Sequence, residues 1–173
     1  MKTIPLILEE ATTAYKTHND IPLTLRSEIN LLMNTRLASA VDLQSQMKQA
    51  HWNVKSPNFI GLHELFDQID EVVESYVDMI AERIVQLGGV AEGTVRVAAL
   101  RSQLDEYPLT IGEGGSHVDA VCTALSSFGH QARMTINDAD DLGDADTADL
   151  FTEVSRGIDK WLWFVEAHSQ TAK

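Results

Sequence analysis

Cysteine occurs once, at Cys122, which excludes an intrachain disulfide and a cysteine-based zinc site. Proline and glycine are also scarce, 4 and 10 of 173 residues, too few for the many turns of a sandwich or barrel. No apolar run approaches the ~20 residues that span a bilayer. The opening apolar stretch, Met1 to Leu8, is too short for a secretory signal and runs straight into Glu9 and Glu10. Positive charge is the remaining shortage: 13 Lys and Arg face 26 Asp and Glu, a net charge of −13. Such a body repels phosphate, so nucleic-acid binding would need a local basic patch. There is no Gly-rich phosphate loop, no nicotinamide or flavin fingerprint, and no Ser-His-Asp spacing. What remains is a chain with 44% apolar residues, enough to bury a core in one domain. The expectation is a soluble cytoplasmic protein of few, long elements.

Residues 1–20 show little periodicity and read as a flexible tail. From Pro22 to Asn53, Leu25, Ile29, Leu32, Leu37, Val41, Met47 and Ala50 recur mostly at three- and four-residue steps, the helical pattern. Ser56-Pro57-Asn58 breaks that helix and offers a cap for a second, from Phe59 to Leu87, which stops at Gly88-Gly89. Residues 90–114 are irregular apart from a short helix near Val95–Arg101. A third long helix runs from Ser116 to Ala139 and a fourth from Thr147 to His168, separated by a turn at 140–144. Residues 169–173 form a short tail. Four long helices with one long central connection describe an all-α four-helix bundle over residues 21–168.

The second helix carries the chemistry. At 100° per residue, Leu65, Phe66, Ile69, Val72, Val73, Tyr76 and Ile80 form a core face. His63, Glu64, Asp67, Asp70, Glu71, Glu74, Asp78 and Glu82 fall within a sector of roughly 120° on the other side. No Lys or Arg lies between Lys55 and Arg83 to compensate. Like charges four apart destabilise a helix, so this is either the solvated outer face of an acidic protein or a face that something positive meets, and the spacing favours the second. His63 and Asp67 are four apart, as are Asp78 and Glu82, and carboxylate oxygens with one imidazole suit iron, manganese or zinc. Asp67 and Asp78, however, are separated by about 16 Å of helix axis, too far to share an ion within one chain.

A two-fold partner removes that obstacle. Both pairs are centred on one point, midway between Val72 and Val73. Two copies of the helix crossing antiparallel there set His63 against the partner's Glu82, and Asp67 against the partner's Asp78. Two identical sites per dimer result, each built from both chains. The Glu-x-x-His motif of intra-bundle di-iron sites is absent.

Several segments then resemble one family: 48–54 (Lys48 through His51, Trp52 and Val54), 58–67 (Asn58 through His63 and Asp67), 78–83 and 86–89. Tyr107-Pro108-Leu109, the 146–151 segment and the 159–164 segment continue the match. This chain resembles the Dps miniferritins, within the ferritin-like superfamily. The resemblance implies a ferritin-like four-helix bundle assembled as a hollow homododecamer. It implies a ferroxidase that oxidises Fe(II) with hydrogen peroxide or dioxygen, stores Fe(III) mineral in the cage, and protects against oxidative stress. It places the intersubunit metal site on His51, His63 and Asp67 of one chain with Asp78 and Glu82 of its mate, and Trp52 beside it. His51 and Trp52 enter only through the resemblance. Zinc can occupy the same ligands. Acidic residues near the start of the last helix, Asp144, Asp149 and Glu153, match the positions that line the family's three-fold pores, where a carboxylate ring concentrates cations.

The alternative, a nucleoid-associated DNA-binding protein, meets a departure from the family pattern. Residues 1–20 carry Lys2 and Lys16 against Glu9, Glu10 and Asp20, and the last seven residues add only Lys173 and His168. Neither tail is a basic cluster, so weak or no DNA binding is expected at physiological salt. His18, His117, His130 and His168 show no paired ligand spacing. Trp161, Trp163 and Phe164 read as packing at the end of the last helix, and Cys122 as a small core residue.

Overall fold

The computed structural model describes residues 15–170, which form five helices and no strand. They are α1 (Leu23–Asn53), α2 (Phe59–Gln86), α3 (Val95–Arg101), α4 (Gly114–Asp141) and α5 (Ala145–Glu166). The four long helices form the bundle; α3 is the short helix in the connection between the second and third of them. Of the expected tails, residues 1–14 and 171–173 lie outside the described residues, while the stretch from Tyr15 is tied to the end of α2 by Tyr15 N–H donating to Gly88 O at 2.7 Å.

Two helical hairpins, α1–α2 and α4–α5, pack face to face. The core between them contains Phe66, Phe128 and Phe151 together with Ile29, Met33, Leu37, Leu43 and Met47, all fully buried. Each such side chain contributes about 1.5–3 kcal/mol of burial. On α2 the expected core face is buried except Val72, which is half-buried. Tyr76 closes on α5 so tightly that Gly157 has no room for a methyl group: a Cβ there would overlap the Tyr76 hydroxyl.

Helix α1 departs from a simple two-faced pattern. Leu25, Leu32 and Val41 are only half-buried, whereas Asn34, Arg36, Ser39 and Gln46 are buried. The reason lies in the long connection, whose backbone groups need partners as it returns from the end of α2 to the start of α4. Asn34 donates to Val90 O (3.1 Å) and accepts from Glu92 N (2.8 Å). Ser39 Oγ accepts from Gln103 N, and Gln46 donates to Asp105 O at 3.0 Å. Polar residues in α1 therefore face the crossover.

The last two helices each differ from the sequence expectation by two residues at both ends, with α4 running into the expected turn as far as Asp141 and α5 stopping at Glu166; the two starts have a local cause. Helix α4 begins at Gly114 because its first turn packs on the α1–α2 turn, where a Cβ on Gly114 would stand 2.6 Å from Ser56 Cβ. Helix α5 begins at Ala145 because Asp144 caps it, accepting from Thr147 N at 3.1 Å.

Candidate metal centre

The tight turn at Ser56-Pro57-Asn58 folds the last turn of α1 beside the first turns of α2, which sets His51 next to His63. Their rings stack at 3.7 Å between centroids, 21° from parallel. His51 Nδ1 lies 2.9 Å from the carbonyl oxygen of His63, and His63 Nδ1 lies 2.9 Å from that of His51. A carbonyl oxygen only accepts, so each Nδ1 carries the proton and each Nε2 keeps its lone pair. Backbone bonding of this kind fixes a metal-ligating histidine in its tautomer and orientation. Phe59 backs the His63 ring at 4.9 Å.

Asp67 stands one turn beyond His63, its Oδ1 3.7 Å from His51 Nδ1. Its carboxylate also accepts from Lys48 Nζ at 2.7 Å, and the same ammonium reaches Asp70 at 2.8 Å. The hydrogen bond from Lys48 holds the Asp67 carboxyl below the usual carboxylate range, and the two carboxylates hold the Lys48 ammonium well above its own. Lys48 was missed as a site residue because it lies on another helix. Its signal was its place one turn before His51 on α1, which gives it the same face. Asp70, grouped with the outward acidic sector by periodicity, is instead buried against Lys48.

Asp78 and Glu82 are exposed further along α2, and neither makes an ion pair or side-chain hydrogen bond among the described residues. No three His, Cys, Asp or Glu side chains of the described residues come together to hold a metal ion within this one chain. His51, His63 and Asp67 stand together near the start of α2, and the exposed Asp78–Glu82 pair lies towards its other end. Trp52, beside His51, is exposed.

The three expected pore residues separate. Asp144 is 2% exposed. One oxygen accepts from Arg83 at 2.6 Å, the other from the Thr147 hydroxyl at 2.5 Å. Its carboxylate is committed inside its own chain, as helix cap and as partner of a buried guanidinium. Asp149 and Glu153 are exposed, one turn apart on α5. Among the remaining histidines, His117 is buried against Tyr107, 2.6 Å from its hydroxyl, and joins no metal-binding cluster. Trp161 is buried but Trp163 is exposed, so only the former packs as expected. Cys122 is half-buried, its thiol pushed up to about 11 by burial and by Glu166 and Asp119.

Comparison with known proteins places the fold in a family. A family model described as a ferritin-like domain matches residues 30–173. The chain is 43% identical over 156 residues to the DNA protection during starvation protein of Agrobacterium fabrum, covering 90% of this chain and 96% of that protein. It belongs to the Dps family of ferritin-like proteins. Solved Dps structures superpose closely. The tetragonal form of Mycobacterium smegmatis Dps matches with a TM-score of 0.86 and 31% identity, over 91% of this chain and 95% of that one. DpsC from Streptomyces coelicolor matches with a TM-score of 0.88 and 26% identity, over 96% and 97%. Dps membership brings with it iron storage and protection against oxidative stress as the general role. No described helix is long and apolar enough to cross a membrane.

Proposed function

We propose that this Dps protein is a ferroxidase that oxidises Fe(II) at sites shared between two-fold mates of a dodecameric cage and stores the ferric product inside. The observation that carries this reading is the half-site: two histidines locked with Nε2 free beside Asp67, and a matching carboxylate pair, Asp78 and Glu82, left without partners on the same helix. An antiparallel α2–α2 contact completes both halves at once.

The apolar surface of α2 supports the same crossing. Ile60 is 59% exposed and Val85 57% exposed, and they are equidistant from the midpoint between Val72 and Val73, like the ligand pairs. Phe59 is also exposed at the same end. A contact that brings Asp78 and Glu82 to a neighbour's histidines also covers these side chains, whose exposure otherwise marks an unfilled interface.

Iron is the substrate. Hard carboxylate oxygens favour Fe(III) over Fe(II) and so promote oxidation, while a small protein donor set leaves room for peroxide, dioxygen or water. Zinc would compete for the same ligands. Asp149 and Glu153 are the residues proposed to draw cations toward the cage, since Asp144 is already engaged. DNA contact is not part of the reading, because a chain of net charge −13 is repelled by duplex phosphate.

The test is a double substitution, His63→Ala with Asp67→Ala. Ferric absorbance is followed after Fe(II) and then peroxide, alongside the assembled size by chromatography. The initial rate should fall by at least ~10-fold with the assembly intact, the usual scale for losing metal-site residues. Unchanged kinetics would refute the site.

A further inference from the structure

Tyr107 and His117 are a titratable pair that the iron site does not use. Tyr107 lies in the long connection just before Pro108, and His117 lies in the first turn of α4. The Tyr107 hydroxyl is 2.6 Å from His117 Nδ1, and both residues are buried, His117 to 1% exposure. Burial raises the phenol and lowers the imidazole, so both rest neutral. The hydroxyl makes no other hydrogen bond among the described residues. It therefore donates to Nδ1, which leaves the imidazole proton on Nε2, buried with no partner. Packing alone does not call for this arrangement. Two phenylalanines would fill the space without an orphaned polar atom.

The chemistry fits electron transfer. A phenol is hard to oxidise while it keeps its proton, and a neutral imidazole in hydrogen-bond contact accepts that proton as the electron leaves. The pair also lies at the right end of the bundle. Gly114, three residues (~4.5 Å of helix) before His117, packs against Leu62, which precedes His63, at 3.1 Å from a Cβ placed on that glycine. Beside His51 and His63, the Lys48 ammonium already bridges Asp67 and Asp70 and neutralises charge there that a second Fe(II) would need. A single Fe(II) gives one electron, and peroxide takes two.

We propose that Tyr107, with His117 as its proton acceptor, supplies the second electron when peroxide is reduced at a singly loaded iron centre. This rests on reading the chain as a peroxide-consuming ferroxidase. Fe(II) gives one electron and Tyr107 the other. The peroxide O–O bond breaks to two hydroxides and the phenol proton passes to His117 Nδ1, which leaves Fe(III), a tyrosyl radical and an imidazolium. A second Fe(II) returns an electron to the radical as the proton moves back. In sum, two Fe(II) and one peroxide give two Fe(III) and two hydroxides, and the pair is restored.

The experiment uses the full-length assembled protein with one Fe(II) per centre and one peroxide per iron, freeze-quenched for electron paramagnetic resonance. A tyrosyl radical is expected in the parent, narrowed by ring-deuterated tyrosine, which assigns it without any substitution. The signal should be lost in Tyr107→Phe, and spin-trapped hydroxyl radical should rise severalfold. In His117→Phe, where Tyr107 keeps its ring and loses its base, the tyrosyl yield should also drop. Rapid iron oxidation with no tyrosyl radical, or with one that survives Tyr107→Phe, overturns this inference and leaves the ferroxidase reading standing. Iron oxidation no faster than in protein-free buffer overturns both.

Discussion

Replacing Lys48 with alanine should weaken the metal-free protein and tighten its grip on metal, two effects of opposite sign from one substitution. Lys48 holds Asp67 at 2.7 Å and Asp70 at 2.8 Å, but the two contacts differ in weight. The Asp67 side chain is 40% exposed, so that contact contributes about 1 kcal/mol or less after solvent screening. The Asp70 side chain is 9% exposed, and leaving its carboxylate buried and unpaired costs about 3 kcal/mol. Together these lower the melting temperature by roughly 6–16 °C, at ~2–4 °C per kcal/mol for a chain of this size. The same change frees the Asp67 carboxylate beside His51 and removes a competing cation. Zinc, redox-inert, should then bind at least ~10-fold more tightly, about 1.4 kcal/mol. Calorimetric titration with Zn(II), with melts at fixed protein concentration with and without zinc, reads both effects. Lys48→Arg, which retains the charge, should stay near the parent in both. A Lys48→Ala protein that melts like the parent, or binds zinc no better, would refute the idea that this ammonium holds the place of a cation.

Asp144→Ala should cost more than loss of a helix cap, because it also strands the buried Arg83 guanidinium, 2.6 Å away. About 3–5 kcal/mol for the broken pair and ~1 kcal/mol for the cap are expected in denaturant melts. Asp149→Ala with Glu153→Ala should stay within ~0.5 kcal/mol of the parent, as exposed substitutions do, yet slow iron uptake in stopped-flow absorbance. The pH dependence of stability should carry a mark of His117. Its folded pKa is lowered by burial, so in the window below the unfolded value of about 6.5 the unfolded chain binds the extra proton. Stability is then full above that value and declines as pH falls toward the folded one. In His117→Phe the decline should flatten, and an unchanged pH profile would show that the buried imidazole does not set it.

Much of this molecule was legible before any coordinates, and the particular residues show why. Helical periodicity placed the four long helices and the short one at Val95–Arg101, because burying one face of a helix imposes spacing on the sequence itself. The pairing of His63 with Asp67 and of Asp78 with Glu82 was likewise local, since residues four apart on a helix share a face. Spacing failed where a contact crosses between elements. By its angle on α2 Asp70 faces outward, but Lys48 of α1 draws it inside. Asp144 belonged to an acidic run, but Arg83, 61 residues earlier, turns it into a buried cap and ion-pair partner.

The sequence by itself determined the helices, the acidic face and the four-residue spacing of its histidine and carboxylate pairs along α2, all consequences of one chain's periodic geometry. Only the tertiary structure decided which histidine nitrogen is free, which cation already sits at the carboxylates, and that Tyr107 meets His117. Those outcomes depend on distances of a few ångströms between separate segments, set by how the helices pack and by the turns that join them.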